Sequence, residues 1–171
     1  YILSLSATPD RRDGLTNLLY WSMGTICFKI DRKPEHTLVS CVLYTGGKRK
    51  EILYRDGKIS MALMLNALVS DQSRNEIIAD RILSCYHNDR FIIVLTDRIK
   101  QLNILHLMLN NKGISYEDMG FYIGSTKNDD REHTSRKRII LSTYTMAKEG
   151  LDIPRLDTLV LATPKGDIVQ A

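Results

Sequence analysis

The sequence predicts an α/β fold, a parallel β-sheet with helices on both faces. Two observations carry this expectation. Phe91 to Leu95 is an unbroken apolar run, as expected of a strand covered on both faces. From that run to Ala162, short apolar strands alternate with segments of helical periodicity.

Tyr1 to Leu5 is short, apolar and β-prone, and Pro9, which cannot donate to a ladder, ends that strand. Leu15 to Trp21 has helical spacing and stops near Gly24. The polar, proline-bearing stretch from Asp31 to His36 is the expected domain boundary. A β-rich run from Thr37 to Tyr44 follows, closed by Gly46-Gly47, and Ser60 to Val69 reads as an apolar helix. Ser73 to Glu76 fits a capping box, and the helix it opens puts Ile78, Ile82 and Cys85 on one face. After the Phe91 strand, Asp97 to Lys112 is a helix directing Ile99, Leu102, Leu105 and Met108 inward, with Gly113 at its C-terminal cap. Phe121 to Ile123, Ile139 to Leu141 and Leu159 to Ala162 are further strands. A charged loop and helix span Ser125 to Lys137.

Composition narrows the class. The 171 residues suit one α/β domain with an extension, and 43% hydrophobic with 26% charged residues gives no reason to expect wholesale disorder. A net charge of +4 permits nucleic-acid binding without showing it. The apolar runs are too short to span a bilayer, and no signal-peptide pattern is present. Cys27, Cys41 and Cys85 stand singly among apolar residues and read as reduced core thiols of an intracellular protein. His36, His87, His106 and His133 have no metal-ligand spacing. The chain opens inside one apolar strand and ends just past another, so it reads as an excised piece.

The most informative segment is Ser142 to Pro154, between two strands. Gly150 permits close backbone approach to a ligand, and Asp152 is placed to accept hydrogen bonds from a sugar hydroxyl; an ordinary strand–helix–strand connection is the plain alternative. Gly124-Ser125-Thr126-Lys127 follows a strand and offers amides, hydroxyls and a cation suited to phosphate, or else is a simple turn. Arg136-Lys137-Arg138 reads as a solvated helix end.

Ala147, Gly150, Asp152 and Pro154 resemble motif V of superfamily 2 helicases. Ser6-Ala7-Thr8 resembles motif III, Phe91 to Leu95 with Thr96-Asp97-Arg98 resembles motif IV, and Asp167 to Ala171 resembles the start of motif VI. These segments occur in the family's order across nearly the whole chain. Ser6 to Gly14 further resembles the XPB-like branch, in which an Arg-Glu-Asp follows motif III. Arg11 and Asp13 match its outer positions, whereas Arg12 departs from the glutamate. The chain as a whole resembles the XPB-like helicases of large cytoplasmic DNA viruses, including those of poxvirus transcript-release type.

The resemblance implies that residues 1–34 are the trailing edge of a first RecA-like motor domain, and that 35–171 are a second RecA-like domain cut within motif VI. It implies an ATP-dependent DNA helicase acting in viral transcription or DNA repair. Magnesium and most of the ATP would be bound by the first domain. Gly150, Asp152 and Gln170 would face ATP, while Ser6, Ala7 and Thr8 would couple hydrolysis to strand movement. Arg11, Asp13, Thr96, Arg98, Thr126, Lys127 and Thr143, with Thr145 as the alternative to Thr143, would meet DNA, single- or double-stranded. No catalytic arginine of motif VI and no Gly-Lys-Ser/Thr loop falls within the chain, so the piece alone is expected to be inactive. An RNA polymerase or transcription complex is an expected partner and a membrane is not. The expected location is intracellular, in host cytoplasm or virion. A double-strand translocase without strand separation, or a non-catalytic RecA-like binding module, remains the alternative.

Overall fold

Parallel strands need crossover connections, and the alternation of apolar runs with helical segments after residue 90 supplies them. The structure, a computed structural model, describes residues 3–6, 11, 13–30, 37–46, 56–124, 128–148 and 151–165. The chain forms two units, Tyr1–Val42 and Leu43–Ala171.

In the first unit the described regular element is helix α1, Thr16–Met23, which ends at Gly24 with φ 86°. It buries none of its residues. Residues 3–6 do not form the strand expected over 1–5: they lie in no described β-ladder, and Leu5 is 92% exposed. The run from Thr37 to Tyr44, which crosses into the second unit, is likewise outside any described ladder, with Leu38, Val39 and Leu43 exposed. β-propensity describes fit to a pleated, half-covered surface and does not provide the pairing partner that a strand's backbone groups require.

In the second unit, helices α2 (Met61–Val69) and α3 (Gln72–His87) precede strand β1 (Ile92–Thr96). Helix α4 (Ile99–Asn111) then leads through a 3-10 turn at Tyr116–Asp118 to β2 (Met119–Tyr122). Helix α5 (Asn128–Ser135), β3 (Ile139–Thr143), α6 (Tyr144–Lys148) and β4 (Thr158–Leu161) complete the order. The strands form one sheet in the order β2-β3-β1-β4, parallel throughout. All five residues of β1 are buried, which explains its continuous apolar run.

Alternating side chains feed two cores. Ile92, Val94, Ile139 and Leu141 pack with Ala79 and Ile82 of α3 and Leu102, Leu105 and Leu109 of α4. Ile93, Leu95 and Ile140 pack on the other face with Tyr144, Ala147, Leu151, Ile153 and Leu156. Helix α5 lies beside β2, where Gly120 opposes Thr134. A Cβ at Gly120 would stand 2.8 Å from Thr134 Cγ2, so the helix approaches only because glycine is there. The fold is therefore α/β, a four-stranded parallel sheet in a RecA-like arrangement with helices.

Local chemistry moves some boundaries. The capping box expected at Ser73 does not form. Asp71 is the N-cap, and its carboxylate accepts from the Arg74 amide at 3.1 Å, so the helix begins at Gln72. Its oxygens also accept the Tyr44 hydroxyl, at 3.1 and 3.0 Å. Helix α4 buries Gln101, Leu102, Leu105 and Leu109, while Ile99, expected inward, is 47% exposed on the first turn. Gly113 follows the helix with φ 95°, a conformation that favours glycine. The cysteines are free thiols as expected, but only Cys85 packs against the core, half-buried, while Cys27 and Cys41 are exposed. No described helix is long and apolar enough to cross a membrane.

Candidate functional site

The carboxyl ends of parallel strands are where an α/β sheet presents its loops to ligands. Thr96 ends β1 and Thr143 ends β3, and the two are register partners. The structure thus brings together two positions 47 residues apart in the chain, 143 less 96. Their side chains differ in availability. Thr96 is fully buried, donates to Gln101 Oε1 at 2.7 Å and accepts from the Arg98 amide at 3.3 Å. Thr143 is half-buried and Thr145 exposed. Arg98 is half-buried, its Nε donating to Asn66 Oδ1 of α2 at 2.9 Å and its Nη1 to the Asp97 carbonyl at 3.2 Å.

The end of β4 joins the same edge. The Asp97 amide donates to Thr163 Oγ1 at 2.9 Å, and the Tyr144 hydroxyl donates to the Thr163 carbonyl at 2.7 Å. Lys165 pairs with Asp97 at 3.0 Å and lies 5.2 Å from the centre of the Tyr144 ring. Burial of Tyr144 raises its pKa, since the phenolate would lose hydration. Thr163 and Lys165 were not singled out by the sequence, because their role depends on which strand ends are adjacent.

Asp152 is exposed and lines a cleft of about 180 Å³ with Tyr122, Arg131, Glu132, Ser135, Leu151 and Ile153. The Arg131 guanidinium lies 5.7 Å from the centre of the Tyr122 ring. Arg155 holds the neighbouring backbone by donating to the Ser135 carbonyl at 2.6 Å and the Lys137 carbonyl at 3.2 Å. The cleft sets the carboxylates of Asp152 and Glu132, the Arg131 guanidinium and the Ser135 hydroxyl beside Tyr122, Leu151 and Ile153. It is below the roughly 300–1,000 Å³ of ligand-sized pockets, so a whole nucleotide would need further surface. Among the described residues no cluster of three or more His, Cys, Asp or Glu side chains is placed to hold a metal.

Arg11 and Asp13 of the first unit pair with each other, Arg11 Nε donating to Asp13 Oδ1 at 2.9 Å. Asp13 also accepts the Leu15 amide at 3.1 Å. The hydrogen bond from Arg11, ahead of the backbone one, lowers the Asp13 pKa to about 2. Ser6 is exposed. Ala7, Thr8, Thr126, Lys127, Gly150 and Gln170 lie outside the described residues, as do Arg12 and the expected boundary at 31–36. In the basic cluster each cation has a partner: Arg136 with Glu132, Lys137 with Glu117, and Arg138 with Asp89 while 4.1 Å from the centre of the Tyr86 ring. In each of these ion pairs the carboxylate is exposed.

The chain is similar along its whole length to a protein of Acanthamoeba polyphaga mimivirus named "Putative ATP-dependent RNA helicase", with 33% identity over 177 residues. An African swine fever virus protein bearing the same name is 24% identical over 192 residues, covering 96% of this chain. A protein of Invertebrate iridescent virus 6 named as a helicase is 24% identical over 186 residues, covering 99%. The chain spans 34%, 36% and 40% of the lengths of these relatives. No family model matches the chain, and no solved structure does. The likeness is thus to viral proteins named as helicases, the first two as ATP-dependent, and it runs through both units.

Proposed function

We propose that this chain is part of an ATP-dependent nucleic-acid motor of superfamily 2, XPB-like branch, with residues 35–171 as its second RecA-like domain and 1–34 as the end of the first. The observation that carries the reading is similarity over the full chain to viral proteins named as helicases. The parallel sheet supports it, since its carboxyl edge places Arg98 and Thr143 at the ends of adjacent strands, where a sugar–phosphate backbone is expected to run, whereas Thr96, expected as a contact, is buried with its hydroxyl committed to Gln101. Thr126 and Lys127 join that track in this reading, Arg11 and Asp13 act at the duplex, and Ser6, Ala7 and Thr8 couple the two domains.

In this reading Asp152 accepts the ribose hydroxyls from its exposed position in the cleft, and Gly150 and Gln170 are further ATP contacts. Bound ATP with magnesium would supply the driving reaction, transfer of its terminal phosphoryl group to water. The chain's own residues orient the sugar and hold the strand. The track is DNA, and the setting is viral transcription, with an RNA polymerase complex as partner, in host cytoplasm or virion. RNA as the track is a second reading, favoured by the names of the mimivirus and swine fever virus relatives.

The test uses the full-length protein. ATP turnover is measured with single-stranded DNA, duplex DNA and RNA, for wild type and Asp152→Ala. Loss of a ribose hydrogen bond costs about 1–3 kcal/mol, roughly five- to 150-fold in ATP affinity, with an exposed acceptor toward the lower end. An unchanged melting temperature with a higher KM for ATP is expected. A lower melting temperature with unaltered KM would make Asp152 structural. No turnover with any nucleic acid would remove the motor reading.

A further inference from the structure

Two buried side-chain amides at the carboxyl edge have no part in the reading above. Gln101 and Asn75 are both fully buried, on the inward faces of α4 and α3. Such groups persist in a core only when hydrogen-bonded. Here they form one directed chain. The Arg98 amide donates to Thr96 Oγ1 at 3.3 Å, and the Thr96 hydroxyl donates to Gln101 Oε1 at 2.7 Å. Gln101 Nε2 donates to Asn75 Oδ1 at 2.9 Å, and Asn75 Nδ2 donates to the Val69 carbonyl at 2.8 Å.

Each link fixes the next. The Val69 carbonyl can only accept, so Asn75 must present its NH2 there and its oxygen to Gln101. Gln101 must then turn its NH2 to Asn75 and its oxygen to Thr96. The Thr96 proton is committed to Gln101, which leaves its lone pair for the Arg98 amide. Gln101 Nε2 also reaches the Ala162 carbonyl at 3.4 Å, where Arg74 Nη2 donates at 2.6 Å, so the end of β4 is drawn into the same relay. The relay starts at the backbone of Arg98 and finishes at α2. The Arg98 side chain is held by Asn66 of that same helix. Backbone and guanidinium of Arg98 are thereby referred to one element.

We infer that Gln101 is a positioning residue for Arg98: through Thr96 it sets the turn after β1 and so the pose in which Arg98 meets an anionic backbone. This rests on the nucleic-acid track proposed above. Gln101 touches no ligand itself. An apolar residue of equal length would keep the packing and lose the relay.

The experiment measures binding of an oligonucleotide by the full-length protein over a salt series, for wild type, Gln101→Met, Arg98→Ala and the double variant. One lost phosphate contact lowers the slope of log affinity against log salt by about 0.9. Arg98→Ala and Gln101→Met are each expected to reduce the slope by up to that amount and to weaken binding severalfold at low salt. In the Arg98→Ala background, Gln101→Met should add nothing, because it acts through Arg98. Equal weakening in both backgrounds with an unchanged slope would overturn the inference and leave the track reading standing. An unchanged slope in Arg98→Ala itself would overturn both.

If Gln101→Met does not fold, Thr96→Val, which exchanges the hydroxyl for a methyl of similar size, is compared with Thr96→Ser in the same salt series. Thr96→Val should lower the slope and speed hydrogen exchange at the Arg98 amide, and Thr96→Ser should do neither. Equal behaviour of the two would overturn the relay.

Discussion

Gly120→Ala tests how closely α5 is packed to the sheet, and with it the wall of the cleft that contains Asp152. The added Cβ would meet Thr134 Cγ2 at 2.8 Å, Oγ1 at 3.0 Å and Cβ at 3.2 Å. Thr134 is β-branched and 6% exposed, so it has little room to turn aside. Its hydroxyl donates to the Phe121 carbonyl at 3.3 Å, and a displaced helix loses that bond as well. Overpacking of this kind costs about 1–3 kcal/mol, and a domain of this size shifts by about 2–4 °C in Tm per kcal/mol. Thr134→Ala removes both of the nearest atoms and by itself costs about 1 kcal/mol for the hydrogen bond. The two changes should therefore couple favourably, the double variant recovering most of the loss caused by Gly120→Ala. Urea unfolding of the four proteins measures the coupling, and fluorescence of a nucleotide analogue reports the cleft. A Gly120→Ala protein as stable as wild type, or a double variant whose losses simply add, would refute the argument that glycine is required by the approach of α5.

Asp71→Ala should destabilise the protein by about 1 kcal/mol in urea unfolding through loss of the α3 cap, and Asp71→Asn should restore most of it, since asparagine caps equally well. Burial lowers the pKa of His106, whose ring lies 4.8 Å from that of Tyr116 and 4.7 Å from that of Phe121. The unfolded chain therefore binds the proton more readily, so this contribution is fully present above about pH 6.5 and is lost as pH falls toward the lowered value. His106→Phe should flatten the difference in unfolding free energy between pH 7.5 and pH 5.5, and a difference equal to wild type would exclude His106 as its source.

Much of the candidate site was legible because it follows strands whose apolar runs are themselves legible. Thr96, Arg98 and Thr143 are candidates because each follows a strand, and Asp152 because it follows a glycine in a segment between strands; their proposed roles come from the helicase resemblance. The relay through Gln101 and Asn75 left only a faint signal, a polar residue interrupting each inward stripe. That signal resembles an ordinary surface position until the helix is docked.

Sequence alone determined the class of fold, the order of the four strands and of the helices from Ser60 to Lys137, and the burial of β1 on both faces, whereas α6 was only the plain alternative for its segment. These depend on hydrophobic period, which is a local property of the chain. Tertiary structure decided which strand ends are neighbours, since the order β2-β3-β1-β4 is set by crossovers and not by sequence adjacency. It decided that Asp71 and not Ser73 caps α3, through the dihedral angles of a particular turn. It also decided that the β-prone runs at 3–6 and 37–44 stand outside any described ladder. A strand is defined by its partner, and partners lie far away in the chain.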